Sequence, residues 1–136
     1  MGKELKLFSV LFTALKLGFW AALLNIAWLF LGKDLLRISH LPKDFPVAVV
    51  LSSILPILFS GFVYYLLVRG FSRGYLLFLI LGIAFLFFSN FPAFESVLPD
   101  GTPAPANFRW LVIPMHLIAG GLPLYFLPKL HPFQKS

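Results

Sequence analysis

Of 136 residues, 60% are hydrophobic and the mean hydropathy is +0.92, well above the apolar share of about 45–50% in soluble domains; this excludes an ordinary soluble fold and points to a membrane protein. Eleven basic and five acidic residues give a net charge of +6. Those charges sit almost entirely between apolar runs, where they set membrane orientation and argue against nucleic acid as a partner, and the lack of cysteine excludes disulfides, thiol catalysis and thiolate metal centres.

Lys3 and Lys6 precede the first apolar run as in a signal peptide, but no small-x-small cleavage site follows a short core, so an uncleaved first span is expected. Four apolar segments follow in chain order, at about 7–31, 45–68, 75–91 and 108–127. A hydrocarbon core of ~30 Å takes about 20 helical residues to cross, and backbone polar groups in lipid must be satisfied within helices or closed barrels. Runs such as Leu76-Leu77-Phe78-Leu79-Ile80-Leu81 lack the alternation of barrel strands. The expected fold is therefore all-α and integral to the membrane, a single domain over 1–136 built as an antiparallel up-down-up-down bundle of four transmembrane helices.

Basic residues orient it. With the N-terminus cytoplasmic, Lys3, Lys6, Arg69, Arg73, Lys129 and Lys135 lie inside, against Lys33, Arg37, Lys43 and Arg109 outside. Both termini are expected in the cytoplasm of a cell-membrane protein. The inner connection Arg69-Gly70-Phe71-Ser72-Arg73-Gly74 is short enough for a helical hairpin. The outer loops are longer and expected to cover the bundle mouth; Gly32 to Asp44 is long enough for an interfacial turn, and Pro92 to Asn107 carries four prolines and the turn-forming pair Asp100-Gly101.

Each helix carries a polar or small stripe when residues are placed at ~100° intervals. In the first helix it comprises Ala14, Gly18, Ala22 and Asn25, a spacing that lets another helix approach closely; Lys16 falls on the opposite side, where it snorkels toward headgroups or serves a second subunit. In the second helix it comprises Ser52, Ser53, Pro56, Ser60 and Tyr64, with serine hydroxyls near the carbonyl that Pro56 leaves unpaired. Tyr75, Gly82 and Ser89 recur along the third helix with Asn90 beside them, and Arg109, His116, Gly120 and Pro123 share a face of the fourth. Counted from the outer helix ends, Asn25, Ser52, Ser53 and His116 lie ~9–12 Å deep, with Ser89 and Asn90 shallower. The polar groups thus gather in the outer half, leaving the inner half nearly featureless.

An ionisable residue at membrane depth is a functional candidate by default. His116 with Asn25, Ser53, Ser89, Asn90 and Arg109 forms the candidate ligand-binding set, although the same groups also suit interhelical hydrogen bonding. No catalytic residue is assigned. Glu95 and His40 are loop groups on the same side, with Glu95 read as solvated or paired to Arg109. No Asp or Glu falls inside a span, which argues against a carboxylate proton relay or buried cation site, and His40, His116 and His131 lack metal-ligand spacing. No cofactor or metal is expected, and an enzyme is disfavoured.

The last helix, with Met115-His116-Leu117-Ile118-Ala119 followed by small residues and a proline, resembles the Met-His-Leu-containing final helix of small four-helix bacterial membrane proteins grouped as domains of unknown function. The placement of Ser89-Asn90-Phe91-Pro92 is also similar. The resemblance implies a bacterial inner-membrane bundle and a role for His116, and it implies no reaction. Three readings of function follow: an outward-facing polar pocket for a small amphipathic or lipid-like ligand, a structural or accessory subunit of a homo-oligomer or larger membrane complex, and an oligomeric pore gated by histidine protonation.

Overall fold

A computed structural model describes residues 5–132. Four helices account for most of them: α1 (Leu7–Leu35), α2 (Phe45–Gly70), α3 (Gly74–Ser89) and α4 (Phe108–Leu130). All four are long and apolar enough to cross a membrane, α3 only together with the 3-10 turn Phe91–Phe94 that continues it. The four apolar segments thus become four helices, while their bounds shift. α1 runs to Leu35 instead of Leu31, α2 to Gly70 and α4 to Leu130; α3 stops at Ser89, where Pro92 brings in the 3-10 turn. Lys3 and Lys135, two of the inner basic residues, lie outside the described residues.

The end of α1 is a capped turn within the segment Gly32 to Asp44. Ile38 N–H donates to Lys33 O (3.0 Å) and Arg37 N–H to Asp34 O (3.2 Å), with Arg37 at φ 53°. This is the Schellman pattern, usually built on glycine; here buried Ile38 anchors it from beyond the helix end.

Small residues set the helix contacts. On α1, Val10, Ala14, Leu17, Gly18, Ala21, Ala22 and Asn25 are buried, a face that includes the expected Ala14, Gly18, Ala22 and Asn25. Ala14 meets Gly61 of α2 so closely that a Cβ at position 61 would lie 2.7 Å from the Ala14 Cβ, and Gly18 abuts the Ile54 backbone. Between α3 and α4 the fit is reciprocal: Leu86 fills the space over Gly120, and Leu124 fills the space over Gly82. Gly74 lets α3 start directly against the Leu67 carbonyl, so it is Gly74, rather than open-faced Gly70, that makes the α2–α3 connection tight.

Two apolar cores result. One, at the end bearing the chain termini, groups Val10, Ala14, Leu17, Ala21, Ile57, Tyr64, Val68, Phe78 and Leu127. The other, at the end bearing the two long loops, groups Leu29, Ile38, Val49, Leu111 and Met115. Two details of the stripes differ from expectation. The buried face of α2 is Val49, Ser53, Ile57, Gly61, Tyr64 and Val68, with Ser52 and Ser60 on its flanks, and α3 buries Gly74 and Phe78 while Tyr75 is exposed.

The termini end is also not featureless. Tyr64, 1% exposed, donates to His131 O at 2.6 Å, and the His131 ring Nε2 lies 2.8 Å from Thr13 Oγ1. These bonds tie α1, α2 and the end of α4 together. The hint in the sequence was Tyr64 on the α2 stripe, but its partner is a backbone carbonyl beyond α4, which no stripe can indicate.

Candidate functional site

Between the two cores lies a polar layer. Asn25 is 2% exposed and Ser53 1%. Asn25 Nδ2 donates both to Ser53 Oγ (2.9 Å) and to Met115 O (3.2 Å), joining α1, α2 and α4. The amide orientation follows from its partners. Met115 O can only accept, and Ser53 spends its own proton on Val49 O at 2.7 Å, so the nitrogen must face both. Asn25 Oδ1 is left buried without a partner.

His116 can be read the same way. Its Nδ1 lies 3.2 Å from Ser89 Oγ, while Ser89 donates its proton to Leu86 O at 2.9 Å. With the Ser89 proton on Leu86 O, Nδ1–H donates to Ser89 and Nε2 of the neutral ring is an acceptor; in the other tautomer Ser89 donates to Nδ1 and Nε2 carries the proton.

Asn25 and His116 line one cavity of about 590 Å³, within the range of about 300–1,000 Å³ typical of ligand pockets. Its walls come from α1 (Asn25), α2 (Phe45, Ala48, Val49, Ser52) and α4 (Phe108, Val112, Met115, His116, Ala119). The loop after α3 contributes Pro92, Glu95, Val97, Leu98 and Pro99. That loop is ordered by its own hydrogen bonds: Leu98 N–H to Thr102 O (2.8 Å), Ala104 N–H to Ser96 O (2.9 Å), and a bridge between Val97 and Pro103. Asp100 turns it, accepting from Thr102 N–H (3.0 Å) and Thr102 Oγ1 (2.6 Å), which hold its carboxyl below the usual carboxylate range. Gly101, at φ 81°, supplies the left-handed step. His40 of the first long loop donates from Nε2 to Pro103 O (3.2 Å) and accepts at Nδ1 from Ser39 Oγ (3.1 Å), so the two loops are joined over the bundle end.

The candidate set divides on this geometry. Asn25 and His116 share the cavity. Ser53 and Ser89 stand behind them as hydrogen-bond partners, and neither forms part of the cavity wall; Ser52 takes the place expected of Ser53, its hydroxyl donating to Val49 O at 3.2 Å. Asn90 donates to Leu86 O (2.8 Å) and borders a separate, mainly apolar groove with Ile83, Phe87, Phe91 and Leu117. Arg109 is exposed, its guanidinium 5.7 Å from the Trp110 ring centre, and is not part of the cavity wall. Glu95 is exposed and does line the cavity. Among the described residues no serine hydroxyl donates to Ser52 O, the carbonyl that Pro56 leaves without its helical donor; Ser52 and Ser53 donate to Val49 O and Ser60 to Ile57 O. Trp28, which the stripe reading passed over, ties α1 to α4 by donating to Leu111 O at 2.9 Å.

The three histidines occupy separate settings, in the loops, beside the cavity and at the termini end, and among the described residues no three His, Asp or Glu side chains come together as a metal set. What the arrangement offers is hydrogen bonding inside an apolar wall. No family model, curated protein or solved structure matches this chain.

Proposed function

We propose that the chain is an integral membrane protein whose four helices cross the bilayer in alternating directions, with both termini cytoplasmic and the two long loops on the outer side. The pairings Ala14 with Gly61 and Asn25 with Ser53, and the crossed Leu86–Gly120 and Leu124–Gly82 contacts, support alternating directions. The excess of Lys and Arg on the termini side supports the orientation. Many exposed large side chains, among them Phe8, Phe19, Phe59, Phe85 and Phe87, would then face lipid.

In this reading the outer cavity binds a small amphipathic or lipid-like ligand. The observation that carries it is the buried, unpartnered Asn25 Oδ1 on a residue that lines a largely apolar cavity shared with His116. Phe45, Val49, Phe108, Val112 and Met115 would take an apolar chain, and Asn25 and His116 its polar end. The test is thermal unfolding of the purified protein in detergent with a neutral lipid extract. A ligand at a hundred times its dissociation constant stabilises by about 2.7 kcal/mol. A rise in midpoint that His116→Ala diminishes is expected; no rise with any lipid fraction would refute ligand binding.

A second reading as an accessory subunit draws on Lys16, which is exposed midway along α1 beside a groove lined by Trp20, Leu122 and Phe126. Crosslinking in native membranes tests it, a strictly monomeric species counting against it.

A further inference from the structure

We infer that the outer cavity selects a neutral head group that donates hydrogen bonds, namely the free hydroxyl of a long-chain alcohol or hydroxyl-bearing lipid. The inference rests on the cavity being a ligand site and goes further by fixing the chemistry of the ligand's polar end.

The polarity of the cavity wall carries it. Its polar side chains are Asn25, Ser52, Glu95 and His116. Asn25 spends its amide protons on Ser53 and Met115, Ser52 spends its hydroxyl proton on Val49 O, and His116, in the tautomer protonated at Nδ1, spends that proton on Ser89. What these side chains retain is acceptor capacity: Asn25 Oδ1, His116 Nε2 and the Glu95 carboxylate.

The backbone adds to this. Pro56 and Pro123 stand inside α2 and α4. A proline has no N–H for the carbonyl four residues before it, so Ser52 O and Ala119 O lose their helical donors. Both residues line the cavity.

Charge narrows the ligand further. No Lys or Arg lines the cavity, and its one charged side chain is Glu95 in the covering loop. An anionic head group would meet acceptors and a carboxylate with no cation to offset them. An ammonium carried to the level of Asn25 would find no carboxylate there, since none of the helical wall residues is acidic, and an unpaired charge in an apolar setting is strongly disfavoured. A hydroxyl donates one hydrogen bond, satisfies a buried acceptor and brings no charge.

The experiment compares three probes of one chain length, each corrected for its partitioning into protein-free micelles: dodecanol, methyl dodecanoate, which has no donor, and dodecanoate, which is anionic. Binding is read by calorimetry on the whole protein in detergent. Leaving a buried acceptor unsatisfied is costly, so dodecanol is expected to bind about tenfold more tightly than the ester, with dodecanoate weaker still. Asn25→Leu should remove the preference for dodecanol over the ester. Because Asn25 also joins three helices, Glu95→Gln at the exposed loop gives an independent reading: it should strengthen dodecanoate relative to dodecanol. Equal binding of dodecanol and the ester, or tighter binding of dodecanoate, by the wild-type protein overturns the inference while leaving a ligand site in place. Failure of all three probes to bind overturns both.

Discussion

Gly61→Ala is the most direct test of how α1 and α2 are held together. The added Cβ would lie 2.7 Å from the Ala14 Cβ, whereas carbon atoms pack at about 3.5–4.0 Å. Ala14 is itself only a methyl group, 0% exposed, and has no rotamer through which to withdraw. The two backbones must therefore part by about 1 Å along a face that also carries Val10, Leu17 and Ile57. Inserting a methyl into a packed core costs about 1–3 kcal/mol. Replacing an interior glycine by alanine in a helix returns about 0.8–1.0 kcal/mol of propensity, and Gly121→Ala measures that gain alone because nothing lies within 4 Å of a Cβ there. Unfolding in mixed micelles with rising SDS, followed by tryptophan fluorescence, should place Gly61→Ala about 1–3 kcal/mol below Gly121→Ala. Adding Ala14→Gly should recover this loss, giving a coupling energy of about the same size in a double-mutant cycle. A Gly61→Ala protein as stable as Gly121→Ala, or a cycle with no coupling, would refute the contact as the cause.

Ser53→Ala removes one interhelical hydrogen bond, of a kind worth about 0.6 kcal/mol on average and about 1.7 at most, and keeps the Asn25 bond to Met115 O and the unpaired Oδ1, so it should cost about 0.6 kcal/mol in the same titration. His131 should make stability depend on pH. Burial holds its imidazole below the usual 6.5, so the unfolded chain binds the proton more readily, and its stabilising contribution is complete above 6.5 and falls as pH drops through that value toward the lower folded one. Unfolding midpoints between about pH 8 and about pH 5 should show this decline, and His131→Asn should flatten it.

The four helices were legible because an apolar run near the length of a membrane span leaves few alternatives, and helical spacing was enough to place Ala14, Gly18, Ala22 and Asn25 on one packed face. Spacing resolves only to one residue's step of ~100°. That explains why Ser52 and Ser53, taken together in the sequence, divide between the cavity wall and the helix contact behind it. The end of α1 could not be read because its left-handed residue is Arg37 where glycine is the usual signal. The covering loop was legible as a turn at Asp100-Gly101, but its bridge between Val97 and Pro103 and its tie to His40 depend on segments far apart in the chain. Depth fared differently. With α1 extended to Leu35, Asn25 lies ~15 Å from its helix end, yet it still meets Ser53 because α1 projects past its neighbours instead of Asn25 changing level.

Asn25 also bears on whether polar groups within such a bundle serve to join helices or to hold a ligand. Both roles are available to one amide, because its nitrogen and oxygen are separate resources. The nitrogen is fully used between helices, with Ser53 and Met115 as acceptors. Were joining helices the whole role, the oxygen would be a net cost, since an unsatisfied buried acceptor is worth about 1–3 kcal/mol of destabilisation, and an apolar residue of similar size would avoid it. With Nδ1 protonated, His116 has the same asymmetry: that nitrogen bonds Ser89, and the other stays an acceptor. The proline placements extend the pattern to the carbonyls of Ser52 and Ala119. Interhelical bonding accounts for the donors on these residues. It does not account for the acceptor left over on Asn25 beside the cavity, and a ligand that donates would offset its cost.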